Sequence, residues 1–196
     1  MKVSIITVCY NSSEFIRTAI ESVFSQSYSN IEYIVIDGGS ADGTLDIIHE
    51  YGDRITCIVS EPDKGIYDAM NKGIALATGA IIGVLNSDDY YAHDTVIFDV
   101  AKCFQLNTDV DMVLGNVDYV KATDLNTRVR HYSSFTFSPW QLRFGHMPAH
   151  PSAFIKKSAY NKVGEYKLGY KIAADFDFFV RMLLAHYRWH CRLIKP

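Results

Sequence analysis

The 196-residue sequence has few cysteines, few prolines and little imbalance of charge. Because its four cysteines lie far apart and form no Cys-x-x-Cys pair, the sequence implies neither a disulfide framework nor a zinc site, and it is typical of a reducing compartment. The cysteines are Cys9, Cys57, Cys103 and Cys191. Lys and Arg number 19 and Asp and Glu 22, and this near balance, net −3, gives no electrostatic reason to expect nucleic acid as a partner.

Long apolar runs are also absent. No stretch reaches the roughly 20 apolar residues of a membrane span, and the apolar start at 3–8 is too short for the core of a secretory signal. What is present is the mixture of a folded domain, with 48% hydrophobic and 21% charged residues. The length fits one domain on a prior of about 150 residues each. We therefore expect a single domain in the cytoplasm.

Apolar strands alternate with amphipathic helices through the first half of the sequence. Strands with little polar alternation, each followed by a helix, indicate an α/β fold with a parallel sheet covered on both faces. The polar run 11–14 predicts a capping box before the first helix, and Ile66 is expected to face inward on the third. The predicted strands are 3–8, 31–36, 55–59 and 80–85, and the helices between them begin near 15, 44 and 66.

The pattern changes after Asp94, and the sheet is expected to become mixed toward the C-terminus. A polar turn at 124–127 between two short strands predicts a β-hairpin. A loop at 135–151 is long enough to be of functional interest. The remaining predicted elements are a helix at 94–106, strands at 112–114 and 152–155, a short helix ending at 163, and a long helix at 173–185.

Polar side chains follow all four predicted parallel strands, where ligands bind in open α/β sheets. Each of these residues, taken singly, is explained equally well as a helix cap or turn residue. For Asp37, considered by itself, the cap or turn explanation is the better one. The adjacent pair Asp88-Asp89 is different, because two neighbouring carboxylates are costly unless a cation neutralises them. Oxygen ligands of this kind suit Mg²⁺ or Mn²⁺, and substrate phosphates usually complete the coordination shell of these ions.

Other motifs do not match. The glycine-rich run 37–43 follows the second strand and fits neither Gly-x-Gly-x-x-Gly nor the serine-hydrolase elbow, and the P-loop pattern is missing. His186 and His190 are four residues apart, but His186 is not followed by the Glu of a zinc protease. A solvated or interfacial helix end is the better explanation for that pair.

Three of the predicted strands end in polar motifs, within residues 3–11, 32–44 and 86–89. The order of these motifs resembles that of the family 2 glycosyltransferases, which have the GT-A fold, a Rossmann-like nucleotide-binding sheet. The stretch 61–73 resembles the members that make bacterial surface polysaccharides. Two departures are Val8-Cys9, where Pro-Thr or Thr-Ser is frequent, and Ala174-Asp175, where Glu-Asp is frequent. The resemblance rests on residues 3–11, 32–44, 61–73, 150–152 and 173–177 and on Asn86-Ser87-Asp88-Asp89.

The resemblance implies a role for each matching position. Val8 and Tyr10 would form the base pocket, Asp37 would hydrogen-bond the base or ribose, and Asp63 and Lys64 would close over the nucleotide. Asp88 would contact the ribose, and Asp89 would bind Mn²⁺ or Mg²⁺ as the metal ligand of the family's DXD motif. Asp175 would be the catalytic base, and His150 is a further candidate contact to the metal or diphosphate.

The function implied is an inverting, metal-dependent transfer of a sugar from a nucleotide sugar, here a UDP-sugar, to a glycan or polyprenyl-linked acceptor in polysaccharide biosynthesis. A sugar-nucleotide nucleotidyltransferase is one alternative, but its first loop should be rich in glycine and arginine with a lysine, and 10–14 has none of these. A non-catalytic nucleotide- or glycan-binding subunit remains a second alternative.

The resemblance also divides the chain into a nucleotide-binding part, about 1–116, and an acceptor-side part, about 117–196. Family members usually continue further, so we expect the natural protein to extend beyond Pro196. Aromatic residues are concentrated in the later part, which predicts that it faces the acceptor. Near the end, Tyr187 and Trp189 with Arg188 and Arg192 fit either a sugar or a peripheral contact with the inner face of a membrane.

Overall fold

The computed structural model describes residues 1–170, 172–185 and 189–191, the last of these as backbone only. The predictions made for His186, Tyr187, Arg188 and Arg192, and for the side chains of Trp189 and His190, lie outside the described residues. Within the described part, the chain forms an α/β fold, as the sequence pattern predicts.

Six α-helices and nine strands are described. The helices are α1 (Ile16–Phe24), α2 (Thr44–His49), α3 (Ile66–Leu76), α4 (Val96–Leu106), α5 (Lys157–Val163) and α6 (Ala174–Leu184). The strands are β1 (Val3–Cys9), β2 (Ile31–Asp37), β3 (Cys57–Ser60), β4 (Ile81–Asn86), β5 (Met112–Leu114), β6 (Val117–Lys121), β7 (Asp124–Tyr132), β8 (Ala153–Lys156) and β9 (Trp189–Cys191). Short 3₁₀ turns lie at Gly52–Arg54, Pro139–Phe144 and His150–Ser152.

Seven strands form one sheet in the order β3-β2-β1-β4-β8-β5-β9, and β6 pairs with β7 in a separate hairpin. The first four strands of the chain are parallel, whereas β8 runs antiparallel to both β4 and β5. The sheet is therefore mixed toward the C-terminal part, as predicted. The carboxyl ends of β1 to β4 meet at one edge, where the polar strand-end residues come together.

Both faces of the sheet are covered by helices, because the central strands are apolar on both sides. All seven residues of β1 are buried. Ile5 packs with α1 and α4 on one face, and Ile6 packs with α3 and α6 on the other. At Gly73 of α3 the helix lies so close that a Cβ atom there would stand 2.4 Å from Ile6 Cγ2. Glycine at this position lets α3 lie directly against β1.

Three local predictions are wrong, and in the first of them tertiary contacts outweigh a local preference. Residues 11–14 do not form a capping box; α1 begins at Ile16 with no side-chain cap. Instead, Asn11 Oδ1 accepts the N–H of Ala41 at 3.0 Å, and the N–H of Ser13 donates to Asp42 Oδ2 at 3.0 Å. The polar run therefore ties the ends of β1 and β2 together.

The other two differences concern the hairpin and α3. Strand β7 already begins at Asp124, so the hairpin turn lies at 122–123 and not at 124–127. The Asp124 carboxylate accepts hydrogen bonds from the Asn126 N–H and the Thr127 hydroxyl, which satisfies these polar groups within the strand. Ile66, expected to face inward, is 47% exposed. It is the first residue of α3 and lines an open cavity.

A buried carboxylate at the amino-terminal edge of the sheet connects β2 with the start of β1 and with the segment before β4. Glu32 of β2 is 5% exposed and accepts hydrogen bonds from Lys2 Nζ at 2.6 Å, from Ser4 Oγ at 2.5 Å, and from the Thr78 N–H and hydroxyl at 2.7 and 2.6 Å. Burial acts to raise the pKa of Glu32, but these bonds outweigh it and lower the pKa from 4.5 to about 2. The carboxylate therefore stabilises the fold in its charged form.

We expect Glu32→Gln to reduce the free energy of unfolding at pH 7 by about 2 kcal/mol. Because the folded-state pKa is depressed, the contribution of the charge is fully present above pH 4.5 and is lost as the pH falls toward 2. The difference between wild type and variant, measured by urea unfolding, should shrink between pH 5 and pH 3. Glu50→Gln, which breaks an exposed ion pair with Arg17, is the control and should change stability by less than about 1 kcal/mol. A Glu32→Gln effect independent of pH would contradict the charged network.

Candidate functional site

A cavity of about 1010 Å³ opens where β4 ends. Its walls come from the loop after β4, the first residues of α3, the β6–β7 hairpin, the segment 147–152 and the first turn of α6. These elements are distant in sequence, and the sheet order brings them together by placing β8 beside β4. The predicted site residues among the lining residues are Asp88, Asp89, His150 and Asp175.

The two adjacent carboxylates after β4 differ in environment. Asp88 is exposed, whereas Asp89 is partly buried and accepts a hydrogen bond from Asn86 Nδ2 at 2.9 Å. Burial, followed by the negative charge of Asp88, raises the pKa of Asp89 to about 6. The protein therefore holds a carboxylate whose charged form would be stabilised by a cation.

Asn86 supplies a further observation about this site. Its Oδ1 is buried and has no hydrogen-bond partner among the described residues. A buried carbonyl oxygen without a partner is costly, and it lies on the same residue whose Nδ2 holds Asp89. The Asp89 carboxylate and the Asn86 amide oxygen, with the charge of Asp88 next to them, are oxygen ligands of the kind that suits Mg²⁺ or Mn²⁺. The residues present therefore fit a divalent ion.

The protein would supply only part of the ion's coordination shell. In the part of the chain that the structure describes, no three His, Cys, Asp or Glu side chains are grouped closely enough to hold a metal on their own. Divalent ions of this type usually complete their shell with water and substrate phosphate oxygens. The arrangement thus fits an ion shared with a phosphorylated ligand.

Asp175 lies in the first turn of α6 and lines the same cavity. Its Oδ1 accepts two hydrogen bonds, from the Tyr67 hydroxyl at 3.1 Å and from the Phe176 N–H at 2.9 Å. Ala173, which precedes the helix, has a left-handed backbone with φ of 71°. Burial and then the charge of Asp175 raise the pKa of Tyr67, so Tyr67 remains a hydroxyl donor. These bonds fix the orientation of the carboxylate.

His150 lies beside this carboxylate. Its Nε2 is 3.4 Å from the Tyr166 hydroxyl. Desolvation lowers the pKa of His150, and the charge of Asp175 opposes this only in part, so the imidazole is neutral near pH 7. Its described neighbours are thus Tyr166 and Asp175, and its role as a metal or diphosphate contact stays a prediction.

Asn71 holds Tyr166 in place. Its side-chain amide donates to the Tyr166 carbonyl at 2.8 Å and accepts the Tyr166 N–H at 2.9 Å. Sequence reasoning missed Tyr67, Asn71 and Tyr166 as site residues. The first two lie within 61–73, the stretch quoted above for the family resemblance, which is the signal that could have found them.

Asp177, two residues after Asp175, has a different role. It pairs with Lys167 Nζ at 2.9 Å and with Arg181 Nε at 2.7 Å. The same Arg181 guanidinium donates to the carbonyls of Val163 and Glu165. Asp177 therefore joins α6 to the segment after α5 and is a structural residue.

The predicted nucleotide-binding residues lie at the ends of β1 to β3. A Cβ atom at Gly38 would stand 2.6 Å from Asp63 Oδ2 and 3.3 Å from the Tyr10 ring. Gly38, Asp63 and Tyr10 therefore form one surface, and the Tyr10 ring is 64% exposed on it. Lys64, next in the chain, is exposed as well.

Two other predicted residues lie behind this surface. Val8 is 3% exposed and packs in the core. Asp37 is fully buried, and its carboxylate accepts hydrogen bonds from the hydroxyls of Ser40 and Ser60 and from the N–H groups of Gly39 and Ser40. These bonds, led by those from Ser40 and Ser60, outweigh desolvation and lower the pKa of Asp37. Asp37 thus orders the loop that carries Gly38.

Comparison with known proteins shows which family the chain belongs to. The family model described as "Glycosyl transferase family 2" matches residues 4–164, which is most of the chain. The chain belongs to glycosyltransferase family 2. The predicted family and enzyme class are confirmed.

The proteins to which the chain is similar differ in how much of their length it covers. A PGL/p-HBAD biosynthesis glycosyltransferase of Mycobacterium bovis is 31% identical over 182 residues, which is 91% of this chain and 68% of that protein. The Escherichia coli protein named UDP-Glc:alpha-D-GlcNAc-diphosphoundecaprenol beta-1,3-glucosyltransferase WfaP is 44% identical over 90 residues, 45% of this chain and 36% of that protein.

Structural comparison confirms the GT-A fold. The crystal structure of S. aureus TarS superposes with a TM-score of 0.83 at 23% identity, covering 100% of this chain and 36% of TarS. The chain thus spans about a third of TarS. A likeness at this identity establishes the fold and no more. In the part of this family 2 chain that the structure describes, no helix is both long and apolar enough to cross a bilayer.

Proposed function

We propose that this family 2 domain transfers a sugar, with inversion, from a UDP-sugar to a glycan or polyprenyl-linked acceptor in polysaccharide biosynthesis. The observation that supports the proposal best is that one cavity holds Asp88 and Asp89 at the end of β4 and Asp175 at the start of α6. Asp88 and Asp89 suit the donor diphosphate with its ion, and Asp175 suits the acceptor hydroxyl.

The donor nucleotide would lie along the ends of β1 to β4. The exposed Tyr10 ring offers an apolar face for the nucleobase, and Asp63 beside it offers a carboxylate. Lys64 and Asp63 would close over the nucleotide. Asp37 would act through the loop it orders, and Val8 would support the surface from the core side. Asp88, exposed in the cavity, would contact the ribose.

The donor set of Asp89 and Asn86 would hold Mn²⁺ or Mg²⁺ together with the donor diphosphate. Such an ion, when bound, neutralises the negative charge that develops on the departing diphosphate, so the leaving group needs no proton from the protein.

Asp175 would serve as the catalytic base. An acceptor hydroxyl oxygen forms a bond to the anomeric carbon as the bond from that carbon to the diphosphate oxygen breaks, and the electron pair of the broken bond leaves with the nucleoside diphosphate. The hydroxyl proton passes to Asp175, most directly to Oδ2, because Oδ1 is occupied by Tyr67 and Phe176. A single displacement of this kind inverts the anomeric configuration.

The acceptor would contact the later part of the chain, about 117–196. The hairpin and residues 147–152 line the same cavity as Asp175. The similar protein WfaP is named for an acceptor linked to diphosphoundecaprenol, which supports a polyprenyl diphosphate-linked saccharide as the acceptor class here.

The proposal can be tested by incubating the protein with UDP-, GDP- and dTDP-sugars, with and without Mn²⁺, and following donor consumption by mass spectrometry. We expect Mn²⁺-stimulated consumption of a UDP-sugar. Binding of UDP that ignores Mn²⁺, with no turnover of any donor, would overturn the proposal in favour of a non-catalytic binding subunit.

Tyr67 is expected to be a positioning residue for Asp175. Tyr67→Phe removes the hydroxyl that holds Oδ1, and we expect kcat to fall about tenfold while the KM for the donor stays unchanged. In an Asp175→Asn background the same change should have no further effect on kcat, because the two residues act as a unit. Tyr90→Phe is the matched control, since Tyr90 also lines the cavity but its hydroxyl contacts the Leu125 carbonyl. A loss of equal size in the Asp175→Asn background would contradict this role.

A further inference from the structure

The loop between β7 and the 3₁₀ turn at His150–Ser152 is anchored at its base. The Tyr132 hydroxyl donates to the Met147 carbonyl at 2.5 Å, which joins the two ends of the loop. The Ser134 N–H donates to Asn116 Oδ1 at 3.0 Å, and Phe137 packs against the core below. The loop is therefore a built element with a defined outer surface.

The outer part of this loop is a 3₁₀ turn, Pro139–Phe144, that presents aromatic rings to solvent. A capping box between Ser138 and Gln141 begins the turn, and Gly145, with φ of 77°, ends it. Trp140 and Phe144 are 60% and 70% exposed, with ring centroids 5.6 Å apart in an edge-to-face arrangement. Phe135 of the same loop is 59% exposed. We call these three residues the aromatic tip.

The charged residues of this loop and its base are all cations. Residues 125–152 contain three Arg and no Asp or Glu, so this segment carries +3 in a chain of net −3. One of the three, Arg128, pairs with Asp118 of β6 at 3.5 Å. Arg143 is exposed within the 3₁₀ turn itself. Arg130 lies 6.0 Å from the ring centroid of Tyr132, at the base of the loop. The aromatic tip is thus accompanied by cations and by no nearby acidic residue of its own segment.

We propose that the aromatic tip docks this domain on an anionic lipid bilayer. Exposed Trp and Phe side chains next to Arg match the interface of a bilayer, where rings enter the headgroup region and cations meet acidic lipids. The charge complementarity favours this occupant over a neutral glycan, which would gain nothing from the excess of cations.

The position of the aromatic tip relative to the cavity suggests how the acceptor reaches the site, an inference that rests on the proposed function. Met147, which closes the base of the loop, and the following Pro148 also line the cavity. Docking through the tip would place the cavity near the membrane surface, where a polyprenyl-linked acceptor would lie.

The test is sedimentation of the purified chain with vesicles of phosphatidylcholine, alone or with about 30% phosphatidylglycerol. We expect binding to the anionic vesicles and an at least tenfold weaker affinity for Trp140→Ser/Phe144→Ser. Arg143→Glu should weaken binding to anionic vesicles in particular. The matched control is Phe98→Ser on α4, since Phe98 is 46% exposed with Lys102 Nζ 6.0 Å from its ring, and it should bind as wild type does.

Absence of wild-type binding, or equal binding by the tip variant and wild type, would overturn the proposal. So would binding to soluble oligosaccharides, in calorimetry, that the tip variant loses while vesicle binding persists. Circular dichroism checks that the variants fold, and Trp140→Phe, which keeps an aromatic ring, should retain vesicle binding. Hydrolysis of UDP-sugar without vesicles should be unchanged in the tip variant, so failure of the proposed activity and failure of docking are separate results.

Discussion

Replacing Asp89 by asparagine is expected to lower kcat/KM for sugar transfer about a thousandfold. The reason is the environment of this carboxylate: it is partly buried after β4, next to Asp88 and hydrogen-bonded to Asn86, whose own Oδ1 has no partner among the described residues. Asparagine keeps the size of the side chain but removes the charge that would hold a divalent ion against the donor diphosphate. Initial rates with and without Mn²⁺ measure the effect.

The matched control is Asp53→Asn, an acidic residue exposed in the 3₁₀ turn Gly52–Arg54 and absent from the cavity lining. It should leave both activity and Mn²⁺ stimulation unchanged. Calorimetry should show that Asp89→Asn loses the effect of Mn²⁺ on UDP affinity. Full Mn²⁺-stimulated transfer by Asp89→Asn would exclude this carboxylate as the metal ligand.

Replacing Asp175 by asparagine is expected to lower kcat about a thousandfold while UDP affinity remains near that of wild type. Asparagine can still accept the hydrogen bonds from Tyr67 and the Phe176 N–H through its amide oxygen, so the start of α6 should keep its structure. What it lacks is a carboxylate able to take the acceptor proton. Transfer rates at saturating donor, together with UDP calorimetry, separate these effects.

Asp177→Asn is the control for this variant, because Asp177 lies in the same first turn of α6 but pairs with Lys167 and Arg181. It should lower the stability of the fold while leaving kcat of the folded protein within about twofold. If Asp175→Asn keeps a wild-type kcat, or if Asp177→Asn is the variant that loses it, the base has been assigned to the wrong residue.

The sequence predicts the sheet well because its strands are short, apolar and bounded by polar turns. The four parallel strands follow from that pattern. The sheet is mixed toward the C-terminus as expected, but its antiparallel strand is β8, and the predicted hairpin forms a separate sheet. The capping box at 11–14 is wrong because local preference cannot show that Asn11 and Ser13 bond to the loop after β2. The turn at 124–127 is wrong because Asp124 bonds to Asn126 and Thr127 within its own strand, and a polar run of this kind is equally typical of a turn.

The candidate site is predictable from the sequence only where residues adjacent in the chain carry its chemistry. Asp88-Asp89 stands out because two neighbouring negative charges are costly unless a cation neutralises them. Tyr67 and Asp175 are 108 residues apart, and no local pattern shows that they meet. The burial of Asp37 is likewise invisible in the sequence, since Ser60, one of the residues that bond to it, belongs to another strand.

The position of β8 has a consequence for synthesis on the ribosome. Strand β4 has β1 on one side and β8 on the other, and among the described strands β5 joins the sheet through β8 and β9. Until residue 156 has left the exit tunnel, the edge of β4 has no partner and is open to pairing with other chains. The first 116 residues are therefore expected to need a chaperone or the later chain to stay out of aggregates, even though they hold the predicted nucleotide-binding half. The free edge of β4 is therefore covered only after β8 (Ala153–Lys156) has been made, and the described sheet is complete only after β9 (Trp189–Cys191) has followed.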